Sequence, residues 1–180
     1  MGLPITPSIK ARPFSERSLD ILYFSYILTH IPATIILDIP HILPEHLVPS
    51  GVQLFRQWYV SNYKDPFIGG GAGIWFSSFI VCEALFQLPF FVWSLSQLWN
   101  DSKRVRPAMV VYSTHAITTL VPIIGELTFN RRGVFALTQS ERTLLFAFYL
   151  PYLLIPLVML IDSYRQVLRS ESVDKDKKLE

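Results

Sequence analysis

The chain has 180 residues, 51% of them hydrophobic and 14% aromatic, with thirteen prolines and a formal net charge of +2. That balance leaves no basic footprint for nucleic acid, and no nucleotide fingerprint or serine–histidine–acid elbow is present. The single cysteine, Cys82, excludes an intrachain disulfide and is expected to be a small core residue.

Residues 1–17 carry prolines and charges without an apolar period and are expected to be flexible. Four apolar runs follow at Ile21–Leu37, Ile74–Trp99, Ala108–Leu127 and Thr143–Ile161, of 17, 26, 20 and 19 residues. A helix needs about 20 residues to cross the hydrocarbon core, and lipid offers no partner to an unpaired backbone group. The sequence therefore predicts an all-α membrane protein: four proline-kinked transmembrane helices in an antiparallel bundle, with a short lumenal amphipathic helix. The domain spans 18–165 and a tail occupies 166–180. No small-residue cleavage site follows the first run, which is expected to be a retained span and not a signal peptide.

Charge placement orients the bundle. With both termini cytosolic, eleven Lys and Arg residues lie on the cytosolic side and five (Arg56, Lys64, Arg131, Arg132, Arg142) on the other. This satisfies the positive-inside rule, and the reverse orientation violates it. Lys177 and Lys178, fourth and third from the end, resemble a dilysine retrieval signal of endoplasmic reticulum membrane proteins.

The long first loop, Ile39 to Gly73, contains Ser50 followed by Val52, Leu54, Phe55, Trp58 and Tyr59. This pattern predicts an amphipathic helix capped by Ser50 and lying at the headgroup level. The triple glycine at 69–71 lacks the lysine and strand context of a phosphate loop. His41 and His46 have no metal spacing with Glu45, and neither a metal nor a cofactor is expected. The second loop, Asn100 to Pro107, is short and basic, which makes the second and third spans antiparallel neighbours.

Polar residues inside the runs carry the functional signal. Glu83 lies deep in the second run, where a bare carboxylate costs about 2.5–3.5 kcal/mol on insertion scales, so it should face a protein interior or cavity. Residues spaced by three or four share a helix face. In the first run His30, Thr34 and Asp38 do so; in the second, Glu83 and Gln87; in the third, Tyr112, His115, Thr119, Pro122 and Glu126; in the fourth, Tyr149, Tyr152 and Pro156. Prolines in every run (Pro32, Pro89, Pro122, Pro151, Pro156) free carbonyls and suggest helices bowed around a cavity. Asp38 and Glu83 can share that cavity, where one of two close carboxylates holds a proton. Such a pair accepts a cationic amine or a sterol hydroxyl, or serves as an acid–base couple. Asp38 alone also reads as the end of the first helix, Glu83 as a structural interhelical hydrogen bond, His115 as a packing histidine, and Glu126 and Asp162 as interfacial residues.

Several short motifs occur in a recognisable order: His30-Ile31-Pro32, Asp38 with Leu43-Pro44, Trp58-Tyr59, Lys64-Asp65-Pro66, Cys82-Glu83, Phe86-Gln87-Leu88-Pro89, Thr118-Thr119-Leu120 and Pro151-Tyr152-Leu153-Leu154-Ile155-Pro156. Over roughly residues 20–165 the chain resembles the sigma-2 receptor family, in the EXPERA superfamily that includes emopamil-binding sterol isomerase. The resemblance implies a four-helix endoplasmic reticulum protein, often a homodimer, with a cavity open to the membrane and sterols or lipophilic amines as ligands. It matches Asp38 to the aspartate contacting the ligand amine and Glu83 to the glutamate behind it. Gln87, Thr119 and Tyr152 match cavity-lining positions, and Asp65 a loop aspartate linked to ligand binding. His115 joins the candidate set from its stripe, and Phe86 and Leu150 are expected to surround the rest of a ligand. The isomerases carry a histidine one turn before the glutamate; here that position is Phe79, which favours binding over catalysis. An isomerase and a factor handling precursor proteins at the membrane are the alternatives.

Overall fold

The computed structural model describes residues 11–176. Lys177 and Lys178, and with them the retrieval-type signal, lie outside the described residues. Among those described there is no strand. Among the described residues the main elements are five helices: α1 (Ser18–Ile42), α2 (Ser50–Tyr63), α3 (Ile74–Trp99), α4 (Val105–Phe129) and α5 (Gln139–Asp176). All but α2 are long and apolar enough to cross a membrane, and the side chains left uncovered are those lipid tolerates, such as Val111, Val121 and Leu85.

Helix ends extend past the apolar runs for local reasons. At the start of α5, the Thr138 Oγ1 accepts the Glu141 N–H while Glu141 accepts the Thr138 N–H and hydroxyl, a reciprocal capping box. At the other end, α5 continues to Asp176, so most of the expected tail at 166–180 is helical. The helix α2 forms as expected, with Leu54, Phe55 and Trp58 exposed. Ser50 does not cap it: Pro49 precedes the helix, and Ser50 is its first residue with no capping bond.

The proline kinks take a specific form. Pro32, Pro122, Pro151 and Pro156 lie within helices. The helical ladder widens to π turns at Thr34–Asp38 in α1 and Glu83–Gln87 in α3. Each turn closes with an i−5 bond, Ile39 N–H to the Thr34 carbonyl and Leu88 N–H to the Glu83 carbonyl. Each lies two residues before a proline, Pro40 and Pro89. A proline supplies no N–H and its ring pushes away the carbonyl four residues back, a conflict that a widened turn absorbs.

Packing is most extensive between α4 and α5, with α1 against α3 next. Two apolar cores result. The first, toward the termini, gathers Tyr23, Ile27, Phe91, Leu98, Met109 and Met159. The second, toward the opposite face, gathers Phe67, Phe76, Ile80, Leu127, Phe135 and Leu145. Tyr152 packs against both.

A buried charge network locks the end that carries the termini. Asp20 accepts from Arg17 at 3.0 Å and from Arg106 at 2.5 Å. Arg106 reaches Asp162 at 3.7 Å, and Tyr23 and Gln166 also donate to Asp162. Arg17 further donates to the Leu98 carbonyl, and Arg12 pairs with Asp101 at 2.7 Å. Residues 12–17, expected to be flexible, are therefore docked, because Arg17 is buried among these acceptors. The Arg12 guanidinium in turn holds the Asp101 carboxyl below the usual carboxylate range. At the opposite face, Arg142 is buried and donates to the carbonyls of Leu127, Asn130 and Phe135, which closes the turn between α4 and α5.

Candidate ligand site

A polar layer separates the two cores, and the π turns build it. Glu83, at the start of one π turn, accepts from the Thr34 hydroxyl, at the start of the other, at 2.5 Å. His30, one helical turn earlier in α1, places Nε2 3.6 Å from the same Glu83 oxygen. The two side chains are largely shielded, at 12% and 15% exposure, and His30 Nδ1 is buried with no hydrogen-bond partner. Three rings enclose the imidazole: Tyr152 at 4.6 Å, Phe91 at 4.9 Å and Tyr26 at 5.3 Å between centroids. The Tyr26 hydroxyl meets that of Tyr112 at 3.0 Å. Gln87 is buried, and its Nε2 lies 3.2 Å from His115 Nδ1.

Asp38 closes the π turn of α1, half-buried. Among the described residues no group donates to its carboxylate; it stands in the field of Glu83 and Asp65, both acidic, and of Arg56. A carboxyl group with no donor of its own, beside two other acids, is a place where a cationic partner would be favoured.

Asp65 behaves differently. It is 1% exposed and accepts four hydrogen bonds: from Tyr149 at 2.8 Å, Phe67 N–H at 2.9 Å, Tyr59 at 3.1 Å and Ile68 N–H at 3.3 Å. Burial pushes its carboxyl up, and these donors pull it partway back. Every lone pair is engaged, so Asp65 ties the first loop to α2 and α5.

The polar layer thus unites Glu83, Gln87, His115 and Tyr152 from the expected set, with Asp38 at its edge. Thr119 stands apart, its hydroxyl turned back to the His115 and Ala116 carbonyls of its own helix. Phe86 and Leu150 do not line the layer; they are 67% and 42% exposed on the outer surface. Aromatic rings pack around His30 at this level, and two clefts open elsewhere, one beside α2 and one at Pro122 and Phe129. His30 and Thr34 were legible on the α1 stripe, but Tyr26 and the charge network were not singled out by spacing.

Fold and site define a four-span helical membrane protein with a carboxylate-bearing polar layer between its cores. The chain belongs to the EXPERA (EXPanded EBP superfamily) family, whose pattern matches residues 52–163. It is 36% identical over 157 residues to Sigma intracellular receptor 2 of Homo sapiens, which covers 83% of this chain and 89% of that protein. It is also 31% identical over 162 residues to Efficient mitochondria targeting-associated protein 19 of Schizosaccharomyces pombe, covering 88% and 81%. The Saccharomyces cerevisiae protein of that name is 28% identical over 150 residues.

Proposed function

We propose that the chain is an endoplasmic reticulum membrane protein, both termini cytosolic, that binds sterols or lipophilic amines in the polar layer. Asp38 takes the cationic amine, and Glu83, held by Thr34, supports it from behind. The observation that carries this reading is the unpaired Asp38 carboxylate beside Glu83. A sterol hydroxyl is read by the same groups, through hydrogen bonds instead of charge. Gln87, His115 and Tyr152 shape the remainder of the site, Thr119 borders it, and Asp65 fixes the loop that covers it. The physiological role that follows is sterol homeostasis or trafficking, with the protein working as a homodimer. Native mass spectrometry with lipid extraction tests this: a sterol retained by wild type and lost in Glu83→Gln supports it, and no bound small molecule in either refutes it.

A second reading draws on the yeast relatives, whose name concerns mitochondrial targeting. In that reading the chain assists precursor proteins at the membrane, and the polar layer serves helix packing. Crosslinks dominated by protein clients, with no copurifying lipid, favour it. Sterol isomerisation ranks below both, because Phe79 stands where the isomerases carry histidine.

A further inference from the structure

The cleft beside α2 lies outside the polar layer, at the membrane face opposite the termini. Its volume is about 430 Å³, and it is bounded by α2, by Pro40 at the end of α1 and by the loop at Ile68 and Gly69. Val48, Val60 and Ile68 contribute apolar lining, while Arg56, Gln57 and Ser61 contribute donors. Arg56 spends one amine on the Ile68 carbonyl at 3.1 Å, yet its Nε is buried with no acceptor. That Nε is covered by protein atoms and faces no ligand, but among the described residues Nη1 has no hydrogen-bond partner and no carboxylate forms an ion pair with Arg56, so the guanidinium on the cleft wall keeps a donor for an acceptor that arrives in the cleft. Burial lowers Arg56 from the ordinary guanidinium value, and the field of Asp38 offsets part of that.

The location specifies the kind of acceptor. α2 exposes Leu54, Phe55 and Trp58, an apolar and aromatic set suited to the headgroup level of a bilayer. An anion at that level that accepts several hydrogen bonds is a phosphate, the group that arginine binds through its planar fork. Glu45 lines the same cleft and supplies a carboxylate for an ammonium group. We infer that this cleft holds the headgroup of a zwitterionic glycerophospholipid, its phosphate on Arg56, Gln57 and Ser61, its amine toward Glu45 and its chains along the apolar lining. A sterol has no anionic group for Arg56, which sets this site apart from the polar layer.

The test is a native mass spectrometric titration of the full chain in detergent with dioleoyl phosphatidylethanolamine. Wild type is expected to retain one lipid, and Arg56→Gln to bind about tenfold or more weakly, the loss typical of one charge-assisted hydrogen bond. Because Arg56 also holds the Ile68 carbonyl, a Gln57→Ala, Ser61→Ala double variant provides a second reading and is expected to weaken retention while Arg56 stays in place. Glu83→Gln is expected to retain the lipid as wild type does, whatever becomes of amine binding. Millimolar inorganic phosphate is expected to leave the adduct intact; displacement by it identifies a free-phosphate site and overturns the lipid assignment. Equal retention by Arg56→Gln and the double variant, or loss of the lipid in Glu83→Gln, also overturns it.

Discussion

The hydroxyl of Thr34 and the carboxylate of Glu83 meet at 2.5 Å, and each residue opens a π turn in its own helix. The widened turns bring the two residues together midway between the apolar cores, so backbone irregularity and polar pairing coincide at one level of the bundle. Thr34→Val keeps the shape and removes the donor. Leaving a buried acceptor without its partner costs about 1–3 kcal/mol, so the variant should unfold at lower temperature in detergent, and Thr34→Ser should recover most of the loss. Equal unfolding midpoints for all three proteins would show that the contact contributes nothing.

Asp65 is a clamp, and its consequence appears in stability before it appears in binding. Asp65→Asn places an amide N–H₂ against hydroxyls and backbone N–H groups that need acceptors, and should destabilise the protein by about 2–4 kcal/mol. Tyr149→Phe should reproduce part of that loss. Weaker amine binding in either variant should track the fall in thermal stability, in contrast to Asp38→Asn, where affinity falls while stability holds. Full stability in Asp65→Asn with lost binding would make Asp65 a direct ligand contact.

The same residue sets a pH dependence. Its folded carboxyl lies above the ordinary value through burial. The group therefore contributes stability that is fully present below the unfolded value, near 3.8, and is lost as pH rises through the folded one. Thermal unfolding scans from neutral pH toward acid should show this contribution returning in wild type and missing in Asp65→Asn. Identical pH slopes in the two proteins would contradict the assignment.

The charge network at the terminal end offers a further test. Asp20→Asn leaves Arg17 and Arg106 buried with reduced compensation, a change that costs about 3–5 kcal/mol when one partner of a buried pair is removed. Combining Asp20→Asn with Arg106→Met should recover part of that loss, because the uncompensated charge goes too. A double-mutant cycle on unfolding temperature reads the coupling, and strict additivity would show that Asp20 and Arg106 act independently.

The spans were legible because hydrocarbon thickness imposes length and apolarity, and the polar stripes because Glu83 and Gln87 have no way out of the membrane by snorkelling. The π turns were not legible: Pro40 and Pro89 announce a disturbed ladder, but whether it kinks or widens depends on neighbours that sequence does not place. Asp162 reads as an interfacial residue, and nothing in the sequence marks Arg17, Asp20 and Arg106 as its buried network, because solvated and buried charges near span ends look alike. Asp65 came from the resemblance alone; its Asp-Pro pair signals a turn, but the hydroxyls of Tyr59 and Tyr149 reach it only through the fold. Phe86 misled because an aromatic in a span serves lipid as well as ligand, and the register set by the π turn points it outward.

The proposed role of Asp38 is to hold a ligand cation in front of Glu83. Saturation binding of a tritiated lipophilic amine to purified wild type, Asp38→Asn and Glu83→Gln measures it directly, with thermal unfolding recorded on the same samples. The expected result is a loss of about a hundredfold or more in Asp38→Asn, the scale of a desolvated ion pair, with unchanged stability, and a smaller loss in Glu83→Gln. Unchanged affinity in both variants would contradict the site.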